Sequence, residues 1–189
     1  EAGTAKSNWP LVFVPDWSIH AEKLGHLMGE RIHLSFAPII QESQRDEWVK
    51  FSQDTAPIWY QQSLKSEGKN SSVESLMEKT LKYIYFYDFR SGFSPTKVTR
   101  SGATLPIWHS YPLVADSSVP VMETNLDLLT TPFARNLFNA ARATKSPVIG
   151  VTQVLKGEQT SVAEGSIMQP VFEKAGGDTT LVGVTLLQL

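Results

Sequence analysis

The chain has no cysteine among its 189 residues. That excludes disulfides, thiol nucleophiles and cysteine-based zinc or iron–sulfur centres, while leaving the redox compartment open. No apolar run approaches the ~20 residues that cross a bilayer as a helix. The start, Glu1 to Asn8, is polar and lacks the apolar stretch of a signal peptide. Clusters of lysine and arginine are missing too, and the formal net charge is only -2, so nucleic acid is not an expected partner. The phosphate-binding patterns GxGxxG and GxxxxGKS/T are absent, as is the GxSxG nucleophile elbow. Gly176-Gly177 lies between two strand-like runs and reads as hairpin turn chemistry.

What remains is ordinary globular chemistry. Hydrophobic residues make up 41% and charged residues 19%, enough for one packed domain of this length. A lead of residues 1–9, disordered or linker-like, precedes an expected single domain over 10–189. The sequon Asn70-Ser71-Ser72 sits in a polar, loop-like stretch and points weakly to a secreted context. The apolar run Thr185 to Leu189 at the end leads us to expect a fragment cut from a longer chain.

Local patterns give the elements. Leu11-Val12-Phe13-Val14 reads as a short strand stopped by Pro15. Asp16 is the expected N-cap of a helix through about Met28, and Ile32–Ile40 a strand. Ser43 with Asp46 resembles a capping box opening a helix that carries Trp48, Phe51 and Trp59, with a break or kink expected at Pro57. Ser71 with Glu74 opens a shorter helix. Tyr83–Tyr87 is aromatic and β-prone, Arg90–Gly102 is a hairpin or long loop, and Leu105–Leu113 is a strand that Pro106 and Pro112 push toward an edge. Thr131-Pro132 is an N-cap with proline at the first helical position. Its helix runs to about Thr144 and should set Phe133, Leu137, Phe138 and Ala141 against a sheet. Pro147–Leu155, Ser166–Phe172 and Thr179–Leu189 follow as strands joined by tight turns. The pattern is α+β, a central antiparallel sheet with flanking helices.

Chemistry is sparse. His20 and His26 are six apart on a helix, so they miss the i, i+4 spacing that grips a metal. His33 and His109 read as surface or hydrogen-bonded histidines. Asp46 and Glu47 read as the solvated first turn of a helix. No catalytic constellation emerges, and neither a metal nor a cofactor is expected. The aromatic strands, with Trp108 and Tyr111, read first as core and second as the wall of a small-molecule pocket.

An ordered series of short motifs carries a resemblance. Ser110-Tyr111-Pro112-Leu113-Val114 is followed by Asn125-Leu126-Asp127, then Ala141-Arg142-Ala143-Thr144, Pro147-Val148-Ile149-Gly150 and Gln169-Pro170-Val171-Phe172. Upstream stand His33 to Pro38, Arg45, and Trp48 with Phe51. Over residues 10 to 189 this resembles the CHASE domain, the extracellular sensor of plant cytokinin receptors and of microbial receptor kinases and cyclases. The variant with Trp48 and Leu105-Pro106-Ile107-Trp108 looks closest to ectodomains of algal, diatom-like receptor nucleotide cyclases. The resemblance implies a PAS-like sheet with a ligand pocket, and by position its lining falls on Leu128, Ala134, Gly150, Leu155, Lys156 and Met168. Plant receptors carry an acid where Ala134 falls and threonine where Gly150 and Met168 fall, so cytokinin is not the expected ligand.

The expected function is therefore that of a non-enzymatic, extracellular ligand-sensing domain at the plasma membrane. It would bind an unidentified small molecule between the strands bearing Trp108, Gly150 and Met168. It would reach the membrane only through flanking segments, and signal to a cyclase or kinase outside this chain, with a homodimer as one expected assembly. The competing expectation is a protein-interaction or dimerisation module with a vestigial pocket. An orphan hydrolase ranks last, for want of a nucleophile.

Overall fold

The computed structural model describes residues 9–28, 32–68, 73, 82–88, 94–112, 124–156, 160–175 and 178–188. Along the chain come helix α1 (Trp17–Met28), strand β1 (His33–Pro38) and helix α2 (Arg45–Ser66). The short strands β2 (Tyr85–Asp88), β3 (Ser94–Lys97) and β4 (His109–Tyr111) follow. Helix α3 (Pro132–Thr144) then leads into β5 (Val148–Lys156), β6 (Thr160–Ala175) and β7 (Asp178–Gln188). Five strands form one antiparallel sheet in the order β4-β1-β7-β6-β5, while β2 and β3 pair separately. The fold is α+β with a central antiparallel sheet, as the turn-bounded runs of the last third imply.

The register sorts side chains onto two faces, because neighbours along a strand alternate. Ala37 lies across from Val184, and Met168 across from Leu186. These pack with Leu128, Ala134, Leu137, Phe138 and Ala141 into one core, so α3 covers that face. Phe133, half-buried, packs at its margin. On the other face Phe36 joins Trp48, Trp59 and Tyr60 of α2, together with Trp108, in a second core. Gly183 on β7 leaves no room for a side chain against β1, since a Cβ there would lie 2.9 Å from the Ala37 carbonyl oxygen. The helix start at Thr131 is as expected, with its hydroxyl accepting from the Ala134 N–H.

Several local expectations change. Leu11–Val14 is not a strand: the Val12 N–H donates to the Pro10 carbonyl (2.9 Å), and two further backbone groups are taken by distant side chains. The Trp108 indole N–H donates to the Val12 carbonyl (2.7 Å), and the Val14 N–H donates to His109 Nε2 (3.2 Å). Helix α2 runs unbroken through Pro57, because one long face, Trp48, Ser52, Ala56, Trp59, Tyr60, Ser63 and Leu64, is buried on both sides of it. That burial outweighs the missing backbone bond. The residues that close the helix start are also shifted: Gln44 Oε1 accepts from the Gln41 N–H (3.1 Å) across a 3-10 turn, Glu42–Gln44, ahead of Arg45. Of the expected strand Leu105–Leu113, only His109–Tyr111 is regular. Thr104 and Pro106 make single bridges, to Ile40 and Asp127. Most of the Ser71 helix and Leu113 lie outside the described residues.

Candidate functional site

The strand order decides which of the sequence-derived site residues meet. Leu128, in the 3-10 turn Leu128–Thr130, Ala134 in the first turn of α3, and Met168 on β6 are all buried in the α3 core. Gly150 sits on β5 directly beneath α3, opposite Ser166. A Cβ on Gly150 would lie 2.7 Å from Leu137 Cδ2 and 3.1 Å from the Phe133 ring. That space is filled by packing, so Gly150→Trp, which looks from sequence like a clean way to block a pocket, would instead drive α3 off the sheet. Even Gly150→Ala should cost about 1–3 kcal/mol by overpacking. Urea unfolding checks it, and a variant as stable as the parent would show that Leu137 and Phe133 move aside freely.

The other positions stand apart. Leu155 and Lys156 lie at the far end of β5, opposite Ser161 and Thr160, about 16 Å along the strand from Gly150 at 3.3 Å per residue. Tyr111 is on β4, across from Leu34. Burial first, then the Glu22 and Glu67 carboxylates, push its hydroxyl pKa up. Strands β4 and β5 are the opposite edges of the sheet, about 19 Å apart at 4.8 Å per strand. Trp108 belongs to the α2 core with Trp48 and Trp59. The expected convergence of Trp108 with Gly150 and Met168 is therefore not formed.

The α1–α2 side of the molecule offers a different site. Ser18 and Ser63 tie the two helices through a buried hydroxyl–hydroxyl bond of 2.6 Å. Beside it opens a shallow cleft lined by Val14, Asp16, Trp17, Ile19, Trp59 and Ser63, whose enclosed volume is about 20 Å³, room for a water-sized group. Behind its wall lies His109, fully buried. Its ring stacks on Trp17 (centroids 5.6 Å, 27°) and lies 4.8 Å from Trp59. Desolvation by burial lowers its pKa to about 3, so the ring is neutral. Because Nε2 accepts from Val14, the proton resides on Nδ1. That Nδ1, the Trp17 Nε1 and the Trp59 Nε1 are buried with no hydrogen-bond partner.

Three orphaned donors around one aromatic cluster are unusual, since buried polar groups nearly always find partners. Sequence reading assigned Trp17 and Trp59 to helix cores and left His109 among unremarkable histidines. The one available signal was a histidine embedded in an aromatic-rich chain. Among the described residues no group of three histidine or carboxylate side chains is close enough to hold a metal ion, and no helix is long and apolar enough to cross a membrane. Compared with known proteins, the chain matches no family model and no curated protein sequence.

Proposed function

We propose that this chain is the small-molecule-sensing domain of an extracellular receptor, acting by binding and passing its state to an output domain outside the chain. The observation that carries this reading is the α1–α2 cleft, a small hollow lined by Trp17 and Trp59 together with Asp16, Gln62 and Ser63. Concave, mostly apolar sites with a few convergent polar groups are where small ligands bind. The central antiparallel sheet with flanking helices supports the same reading, as does the series of CHASE-like motifs. Neither gives a basis for catalysis. A metabolite screen by thermal unfolding tests it: a ligand at a hundred times its Kd stabilises the folded chain by about 2.7 kcal/mol, a rise of several degrees in Tm. A broad panel that leaves Tm unmoved would overturn the proposal.

A second reading, a dimerisation module, is favoured by one surface. Ile149 and Val151 on β5 are 71% and 66% exposed, on the sheet face that α3 does not cover. Ile149 continues a register row through Ile167, Leu187 and Leu34. Strand β5 is an edge strand, and an apolar edge invites pairing with another strand. Two copies related by a two-fold axis would pair β5 with β5 antiparallel. Sedimentation at rising concentration should then show a dimer that Val151→Lys dissolves. A monomer at all concentrations would remove this reading.

A further inference from the structure

We infer that two copies of this chain join at β5 about a two-fold axis at Gly150, making one continuous ten-stranded sheet with the two α3 helices side by side over the seam. The inference rests on the dimerisation reading above and supplies its register and a second layer of contact.

The two edges of the sheet are built differently. Strand β4 is three residues long, stands between Pro106 and Pro112, and packs beside α1. Short length, proline and cover are the devices that keep an edge from pairing. Strand β5 has none of them. It runs for nine residues, Val148–Lys156, contains no proline and carries no charge before Lys156. Its register against β6 is regular throughout, without a bulge.

The side chains on β5 select a second copy and a register. Successive residues alternate between the faces of a strand. Gly150 lies on the α3 face, while Ile149 and Val151 stand on the open face, 71% and 66% exposed. An antiparallel pair with its two-fold axis at Gly150 puts Ile149 of each copy across from Val151 of the other. All four exposed apolar side chains then meet in two cross-strand pairs. An axis at Val151 would set that residue against itself and leave Ile149 opposite the polar Gln153.

Helix α3 supplies the second layer. It rests on Gly150 of β5 through Phe133 and Leu137, and on Met168 of β6, so its axis lies about half a strand spacing inside the edge. Two such helices would stand roughly 10 Å apart across the seam, an ordinary helix-packing distance. The flank of α3 on that side, Phe133, Asn136 and Ala140 at i, i+3 and i+7, is uncharged. Arg135 and Arg142 share the opposite flank, where Arg135 donates to the Leu129 carbonyl. Phe133 is only half-buried in the single chain, and the seam would cover the rest of it. An axis at Thr152 would pair β5 along its whole length. It would also slide the two helices about 13 Å past one another, leaving both Phe133 rings uncovered.

The lack of native cysteine makes the register directly readable. Ile149→Cys and Val151→Cys, at two exposed positions, are purified separately, mixed, and oxidised with a glutathione couple at concentrations where the parent sediments as a dimer. Directly opposed cysteines come within disulfide reach, whereas diagonal ones, about 7–8 Å apart, do not. The 149–151 cross-link should exceed either self-linked product at least tenfold. Asn136→Arg should raise the dimer dissociation constant at least tenfold, while Asn139→Arg, turned toward the arginine flank, should leave it within about twofold. A dominant 149–149 or 151–151 product would overturn the axis at Gly150, as would a dimer in which none of the three cross-links forms. In either case dimerisation stands and only this geometry fails. An unchanged dissociation constant in Asn136→Arg would overturn the α3 layer and with it the choice of axis. A parent that stays monomeric at every concentration removes the dimerisation reading itself, and the inference with it.

Discussion

Replacing Asp127 with alanine should destabilise the protein by about 2–4 kcal/mol, chiefly because two backbone donors lose their acceptor, the ion pair with the 40% exposed Arg100 adding less. Asp127 is fully buried. Its Oδ1 accepts from the Leu105 N–H (2.8 Å) and the Leu129 N–H (3.1 Å), and its Oδ2 pairs with Arg100 Nη2 at 2.7 Å. Alanine leaves both backbone donors without an acceptor and the guanidinium without its anion. The residue also ties three pieces of chain together through its backbone. Its backbone N–H donates to the Tyr85 carbonyl (2.8 Å), its backbone bridges to Pro106, and the 3-10 turn before α3 begins on it. Asp127→Asn, which keeps one acceptor oxygen for the backbone donors but loses the charge, should fall clearly between alanine and parent. Urea denaturation measures both, and a loss below about 1 kcal/mol for alanine would mean that solvent or a neighbour replaces the carboxylate.

The second large effect is a dependence on pH. His109 titrates near 3 in the folded chain because burial disfavours the imidazolium, whereas an unfolded histidine titrates near 6.5. Between those values the unfolded state holds the extra proton, so stability rises with pH across the window and is fully present above about 6.5. On acidification it falls, approaching about 1.4 kcal/mol per pH unit well inside the window. From pH 6.5 to 4.5 the loss due to His109 should reach roughly 2 kcal/mol, about half of it by pH 5.5, before ordinary carboxylates near 4 begin to titrate. His109→Phe should flatten that slope, at the expense of a fixed penalty because the Val14 N–H loses its acceptor. Chemical denaturation at half-unit pH steps decides it. A parent protein with constant stability from pH 6.5 to 4.5 would show that His109 stays accessible to protons without unfolding.

Legibility in the sequence followed how local the determining forces are. Helix α3 and the existence of strands β5 to β7 could be read from local signals: Thr131 and Pro132 at the helix start, and Gly157 and Gly176-Gly177 between apolar runs. Strand β6, expected over Ser166–Phe172, nevertheless runs from Thr160 to Ala175. The Leu11–Val14 segment could not, because the partners that hold it, Trp108 and His109, are about 95 residues away. Pro57 was misleading for a related reason. A proline is a local signal, and the buried face of α2 that overrides it is visible only once Trp48 and Trp59 have something to pack against. The site suffered most. Placing Trp108 beside Gly150 rested on the pocket position that the CHASE resemblance implies, whereas the sheet sets β4 and β5 at opposite edges. Unpartnered N–H groups leave no mark in a sequence at all, since tryptophans with satisfied and unsatisfied indoles are written alike.

The pairing of β1 with β7 has a kinetic meaning. Phe36 and Thr185 face each other across about 150 residues of sequence, so the middle of the sheet is its least local part. Strands β5, β6 and β7 form successive hairpins and close cheaply, whereas β1 must search for β7 against the entropy of a very long loop. The chain should therefore assemble its C-terminal meander first and insert β1 last, in the rate-limiting step. Until that insertion, β7 is an open edge bearing Val184 and Leu186, and this half-built sheet, rather than the native surface, is the species most exposed to aggregation.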